Sequence, residues 1–277
     1  MSWWELLLVP LGFAVGAYGT LVGAGGGFVL VPVLLIIYPG EKPASITSIS
    51  LGVVFFNAVS GSLAYARQHR IDYRSGLLFA AAGLPGAIGG AFLVNAVPRR
   101  MFDVLFGVVL LSIALYTLWS VGRPQQTREP VRGRGVIRRV MAGTQPGESY
   151  QYAYKAWQGV AMMSAIGFMS SLLGIGGGVI SVPMMITVLR FPVHVAVATS
   201  QFILAFMAGQ GSAVHLLNGD LQGSNILRAL LIAAGAIPGA QVGALISRRL
   251  RGPVVARLLV VALLVVGGRL LITGALG

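Results

Sequence analysis

Gly23, Gly25, Gly26 and Gly27 stand in the stretch LVGAGGGFVLVP, and Gly174, Gly176, Gly177 and Gly178 in LLGIGGGVISVP; a proline closes each stretch, Pro32 and Pro183. Glycine accepts backbone angles that other residues resist, so such a cluster inside an apolar run is where a helix breaks most cheaply. A broken helix exposes backbone N–H groups at its new N-terminus, and with the helix dipole they form an anion site. Gly25, Gly26 and Gly27 would supply one such end and Gly176, Gly177 and Gly178 another. Two facing positive ends suit an oxyanion such as a sulfonate, sulfite or carboxylate. The competing use of clustered glycine is close helix packing. Duplication of the cluster, with the excess length of the runs that hold it, favours the break.

Side-chain donors follow each cluster. In the first half they are Thr47, Ser48, Ser50, Asn57, Ser60 and Ser62; in the second, Thr199, Ser200, Gln201, Gln210, Ser212 and His215. Polar groups in lipid require partners. Serine and threonine can satisfy themselves on their own helix, so Asn57, Gln201 and Gln210 are the more telling candidates to line a path. Ser48, Ser50, Thr199 and Ser200 stand near the starts of their segments, as N-caps or facing the site. An unperturbed histidine can carry protons near neutrality, but the place of His215 near a segment end favours a structural role. Gln241 follows the second PG step, and Pro85, Gly86, Pro238 and Gly239 read as helix bends. The expected substrate-binding set is Gly25, Gly26, Gly27, Ser48, Ser50, Asn57, Gly176, Gly177, Gly178, Thr199, Ser200, Gln201 and Gln210.

Acidic residues fall at segment ends or in loops: Glu5, Asp72, Asp103 and Asp220. An acidic proton relay or strong cation site is therefore not favoured. The glycines lack the lysine and hydroxyl residue of a phosphate-binding loop, and no paired carboxylates or histidine clusters point to hydrolysis or a metal. No catalytic residue, metal or bound cofactor is expected. The absence of cysteine excludes thiolate chemistry and disulfides.

These groups must be positioned by membrane helices. Of the 277 residues, 56% are hydrophobic and 10% charged, against about 25% charged in soluble domains. Apolar runs of spanning length fall at 5–38, 44–66, 75–97, 101–121, 157–189, 195–217, 225–247 and 254–275. The expected partners are thus the lipid bilayer and a small anionic substrate. The net charge of +13 reads as cytoplasmic loop charge rather than as a nucleic-acid surface. The start, MSWWELLLVPLGFAVGAYG, lacks the basic region and cleavage site of a removable signal and reads as the first membrane segment.

The halves repeat. SIS (48–50) resembles ATS (198–200), SGS (60–62) resembles GQGS (209–212), and AAGLPGAIGGA (81–91) resembles AAGAIPGAQVGA (233–244). Such internal duplication is the usual build of a secondary transporter. The division predicted is a first membrane repeat over 1–122, a basic cytoplasmic linker loop over 123–155, and a second repeat over 156–277. The run 5–38, as one helix, would be about 51 Å long against a hydrocarbon core near 30 Å; so would 157–189. Each is read as a discontinuous helix or re-entrant hairpin, and a break at membrane depth predicts a cavity.

If runs one and five return to their starting face, loops 67–74, 123–155, Arg190 and 248–251 share one side. Lys42, Arg99, Arg100 and Arg228 then lie opposite. This arrangement obeys the positive-inside rule far better than eight simple crossings. It leaves three full crossings per half, inverts one half relative to the other, and places both termini outside. The fold class expected is an all-α polytopic membrane protein of two inverted repeats.

GAGGGFVLVP and GIGGGVISVP, the SIS and ATS elements that follow, and the PGA stretches resemble the TauE/SafE sulfite exporter family, the TSUP membrane permeases. The resemblance covers nearly the whole chain except 123–155. It implies secondary transport of sulfur-containing or organic anions, sulfite and sulfoacetate among them, across the bacterial inner membrane. The expected activity is export of such an oxyanion by alternating access, with a proton or sodium as candidate coupling ion and a homo-oligomer as candidate assembly. A passive anion channel, or a scaffold or sensor docking a partner through the basic loop, are the competing readings.

Overall fold

The computed structural model describes residues 3–121, 135–142 and 149–276. Ten helices carry the chain: α1 (Leu8–Val22), α2 (Gly27–Ile37), α3 (Pro43–Arg67), α4 (Tyr73–Leu93) and α5 (Arg99–Val121), then α6 (Ala156–Leu173), α7 (Gly178–Thr187), α8 (Val193–Leu217), α9 (Ser224–Arg249) and α10 (Gly252–Leu276). Between the two sets of five lies an antiparallel hairpin, β1 (Val136–Ala142) with β2 (Ser149–Lys155). Eight helices are long and apolar enough to cross a membrane, all but α2 and α7. Helices satisfy every backbone polar group within the segment, which lipid demands. The chain is an all-α polytopic membrane protein, with the hairpin as its one sheet among the described residues.

The halves are interlocked. α1 packs along α9, and α4 along α6; α3 meets α8, and α5 meets α10. Two of these seams are built by glycine. A Cβ on Gly12 would lie 2.0 Å from the Ile232 carbonyl oxygen, and one on Gly239 2.3 Å from that of Phe13. Across the matching seam, a Cβ on Gly86 would lie 2.1 Å from the Ser164 carbonyl oxygen, and one on Gly167 2.1 Å from that of Gly83. Backbone approach of this kind is what small residues permit in a membrane, where apolar burial gives helices little reason to associate. Gly86 and Gly239, read from the sequence as helix bends, stand at these close approaches. The PGA stretches serve as seams between the halves.

The contacts fix directions. Gly52 faces Ser212, Gly209 faces Phe55, and Gly61 faces Gln201, so α3 and α8, which occupy matching places in the repeat, run antiparallel. Glu5, before α1, and Glu41, after α2, both meet Arg228 at the start of α9: Arg228 Nη1 donates to Glu41 Oε1 at 3.1 Å, and its Nε lies 3.9 Å from Glu5 Oε1. The Arg228 guanidinium also stacks 4.0 Å over the Tyr38 ring. The α1–α2 pair thus leaves and returns to one end of the molecule.

At the other end, α7 and the loop after it return to the hairpin that precedes α6. Phe191 packs on Tyr152 and Tyr154, with ring centroids at 4.4 and 5.3 Å. The segment read as a linker loop therefore contains an ordered hairpin over 136–142 and 149–155, while 122–134 and 143–148 lie outside the described residues. Its alternation of tyrosines puts Tyr152 and Tyr154 on one buried face. Tyr152 donates to Asp72 Oδ2 at 2.7 Å, Arg139 Nε lies 3.4 Å from the same oxygen, and the Tyr154 hydroxyl meets Ser75 Oγ at 2.6 Å. Asp72 also caps α4 by accepting from the Ser75 amide at 3.1 Å. Burial pushes the Tyr152 and Tyr154 hydroxyls up, and the Asp72 carboxylate adds to the shift of Tyr152. Both remain protonated donors.

Candidate functional site

Both glycine clusters break their helix. α1 ends at Gly23 (φ 75°), Gly25 and Gly26 also have positive φ, and α2 starts at Gly27; α6 ends at Gly174 (φ 69°), Gly176 and Gly177 have positive φ, and α7 starts at Gly178. Left-handed backbone of this kind is open to glycine at little cost. The breaks lie at mid-depth. A Cβ on Gly25 or on Gly176 would touch both Val54, near the middle of α3, and Leu204, near the middle of α8.

They are also nested. A Cβ on Gly27 would lie 2.7 Å from the Gly174 carbonyl oxygen, and a Cβ on Gly178 2.6 Å from the Gly23 carbonyl oxygen. Each α-helical start therefore sits against the carbonyl that ends the other half's broken helix. The same two carbonyls accept from side chains of α3 and α8: Ser50 Oγ donates to Gly174 O at 2.7 Å, and Ser200 Oγ donates to Gly23 O at 3.0 Å. Protein packs closely on this irregular backbone, one of the two ways in which such backbone is tolerated at membrane depth.

The amides of Gly26, Gly27 and Phe28 have no acceptor among the described residues, and neither do those of Gly177, Gly178 and Val179. The N-termini of α2 and α7 thus carry the free donors expected of an anion site.

Six of the expected side chains and clusters come together here: the two glycine triplets, Ser50, Asn57, Ser200 and Gln201. Asn57 Nδ2 donates to the Gly25 carbonyl at 3.2 Å, and Gln201 Nε2 donates to Thr20 Oγ1 at 3.0 Å. Thr20 Oγ1 lies 3.3 Å from Asn57 Oδ1, and its carbonyl accepts from Tyr65 OH at 2.8 Å. Thr20 was missed in the sequence. Its signal is its place on α1, one turn before the first break, where a hydroxyl inside an apolar run needs a partner. Ser181, also missed, meets Ser200 Oγ at 2.7 Å.

Three expected residues lie elsewhere. Ser48 donates to the carbonyls of Ser45 and Asp220, at one end of α3. Thr199 Oγ1 accepts from the Asp72 amide at 3.0 Å, on the hairpin side. Neither caps its helix: α3 starts after Lys42 and α8 after Pro192, several residues earlier. Gln210 is half-buried, and its Oε1 has no partner among the described residues. His215 Nδ1 pairs with Asp220 Oδ2 at 2.8 Å, tying the end of α8 to the following loop, the structural role its position suggested.

The family model Sulfite exporter TauE/SafE matches residues 8–270, which includes both breaks and every helix that frames them. The chain belongs to the TauE/SafE sulfite exporter family. Among relatives, Probable membrane transporter protein YunE of Bacillus subtilis is 34% identical over 276 residues, covering 97% of this chain and 98% of that protein. Probable membrane transporter protein MJ0441 of Methanocaldococcus jannaschii is 29% identical, covering 79% of this chain and 76% of the relative. Probable membrane transporter protein MamO of Paramagnetospirillum magneticum is 28% identical over 88% of this chain but only 40% of its own length. No solved structure matches. This TauE/SafE chain is thus one of a family of membrane transporters.

Proposed function

We propose that this chain is a secondary transporter that carries a small sulfur-containing or organic oxyanion, such as sulfite or a sulfonate, outward across the inner membrane by alternating access. One observation carries the reading. Two mid-depth helix breaks present unpaired amide donors, from α2 and α7, to the same buried centre. The donors are uncharged, so the anion is held by dipoles and hydroxyls and can be released, as a carrier requires.

The antiparallel course of α3 and α8 and the return of each broken helix to its starting end support two inverted repeats. On this reading the hairpin end, with Arg67, Arg74, Arg138 and Arg190, is cytoplasmic, and both termini face outward. The nesting of the breaks, too tight for an added Cβ, supports a carrier over an open channel.

Sulfite counterflow in proteoliposomes tests it. Preloaded unlabelled sulfite should accelerate entry of labelled sulfite, with saturation. An imposed proton or sodium gradient that drives accumulation identifies the coupling ion. Unsaturable flux, without trans-stimulation, would show a channel and sink the carrier reading.

A further inference from the structure

The two breaks share a backbone course and differ in what closes them. In the first, the Gly19 carbonyl accepts from the amides of Ala24 at 2.8 Å and Gly25 at 3.1 Å. A Cβ on Gly19 would lie 2.2 Å from the Gly26 nitrogen, so the end of α1 is shut down on the start of α2. In the second half, the matching residue is Ser170. Its carbonyl accepts from the amide of Ile175 at 3.2 Å, but the amide of Gly176 has no acceptor among the described residues. Gly176, Gly177, Gly178 and Val179 thus present consecutive unpaired amides, one more than the first break offers.

The side chains divide the same way. Ser170 Oγ lies 3.3 Å from where a Cβ on Gly177 would stand, and Ser171 Oγ 2.9 Å from one on Gly211. Both serines are 0% exposed, and neither hydroxyl has a partner among the described residues. Thr20, which matches Ser171, is instead engaged by Asn57 and Gln201. The places that match Asn57 and Gln201 hold Met207 and Leu51, a weak thioether acceptor and a side chain with no polar atom. Buried polar groups are normally paired; here the unpaired Ser170 hydroxyl stands beside Gly177, and the unpaired Ser171 hydroxyl, next along α6, faces Gly211 of α8.

We propose that the second break alone is the oxyanion site, with the amides of Gly176, Gly177 and Gly178 and the hydroxyls of Ser170 and Ser171 as its donors. The first break is its fixed structural counterpart. This rests on the oxyanion reading above and narrows it to one half of the repeat.

The test is thermal unfolding of the purified full chain with sulfite, thiosulfate or sulfoacetate titrated in, since a ligand that binds the folded state raises its unfolding temperature. Ser170→Ala and Ser171→Ala each remove an unpartnered buried hydroxyl. Without ligand they should unfold no lower than the native chain, yet need at least ten-fold more oxyanion for the same shift. Ser170→Gly, which copies the first half, gives the same loss of response should an alanine variant fail to fold. Thr20→Val should unfold at lower temperature and respond at the native concentration within two-fold. Native response in the serine variants, with loss in Thr20→Val, overturns the inference and leaves the oxyanion reading standing. A native chain that responds to none of the three anions overturns both.

Discussion

The first glycine break is braced and the second is not. Around Gly25, Thr20, Asn57, Gln201 and Tyr65 form one connected hydrogen-bonded set. Around Gly176, the matching side chains are Ser171, Met207, Leu51 and His215, and the hydroxyls of Ser170 and Ser171 are unpaired among the described residues. Both halves hold the same broken helix, but in the first the nearby hydroxyl of Thr20 is paired and in the second those of Ser170 and Ser171 have no partner among the described residues.

The largest effect should be common to both breaks. Gly27→Ala and Gly178→Ala each drive a Cβ into a backbone carbonyl of the other half, at 2.7 and 2.6 Å. Backbone cannot turn aside as a side chain can, so overpacking at the upper end of, or beyond, about 1–3 kcal/mol is expected. Folded yield from the membrane, measured by size-exclusion chromatography, should collapse for both. A variant of either that remains monodisperse and native in unfolding temperature would refute the nested arrangement.

Exchanging the residues that differ should break the symmetry. Gly19→Ser meets the Gly26 nitrogen at 2.2 Å and is expected to destabilise by about 1–3 kcal/mol. Ser170→Gly should cost less, because it removes an unpaired hydroxyl but leaves a helical glycine, about 1 kcal/mol poorer than alanine. Equal costs in thermal unfolding would mean that the two breaks are packed alike.

Asn57→Met and Gln201→Leu copy the second half into the first. Each strips Thr20 of one partner, for about 1–3 kcal/mol. Because the three groups act as one set, the double variant should cost less than the two singles added. Strict additivity in a double-mutant cycle would show that they do not form a network.

The smallest effect is expected far from both breaks. Tyr152→Phe removes the hydroxyl that donates to Asp72 Oδ2, and Arg139 and Ser75 remain on that carboxylate. The loss should be about 1 kcal/mol, with half-saturation of sulfite counterflow unchanged. A change in half-saturation comparable to that of a break variant would extend the site to the hairpin.

Much of this was legible in the residues. Glycine clusters with excess run length marked both breaks, and arginine placement marked the returning α1–α2 pair, because backbone freedom and charge in lipid are local constraints. Asn57 and Gln201 stood out as amides in apolar runs. Ser48 and Thr199 looked equivalent to Ser50 and Ser200, yet they bond to Asp220 and Asp72 instead of the breaks, since helix rotation of about a hundred degrees per residue turns them to another face. The hairpin was hidden because its two strands are short and separated, and only the aromatic alternation of β2 hinted at it.

The sequence by itself determined the membrane class, the twofold repeat, the positions of the breaks and the polar residues available to them. These follow from hydropathy, glycine backbone freedom and internal similarity, which act along the chain. Only the tertiary structure decided that each break closes on a carbonyl of the opposite half, that Thr20 is satisfied while Ser171 is not, and that Ser170 stands where the first half has glycine against an amide. Those facts depend on which side chains of α3 and α8 cross to the partner half. Contacts between residues some 150 positions apart are set by packing, not by local pattern.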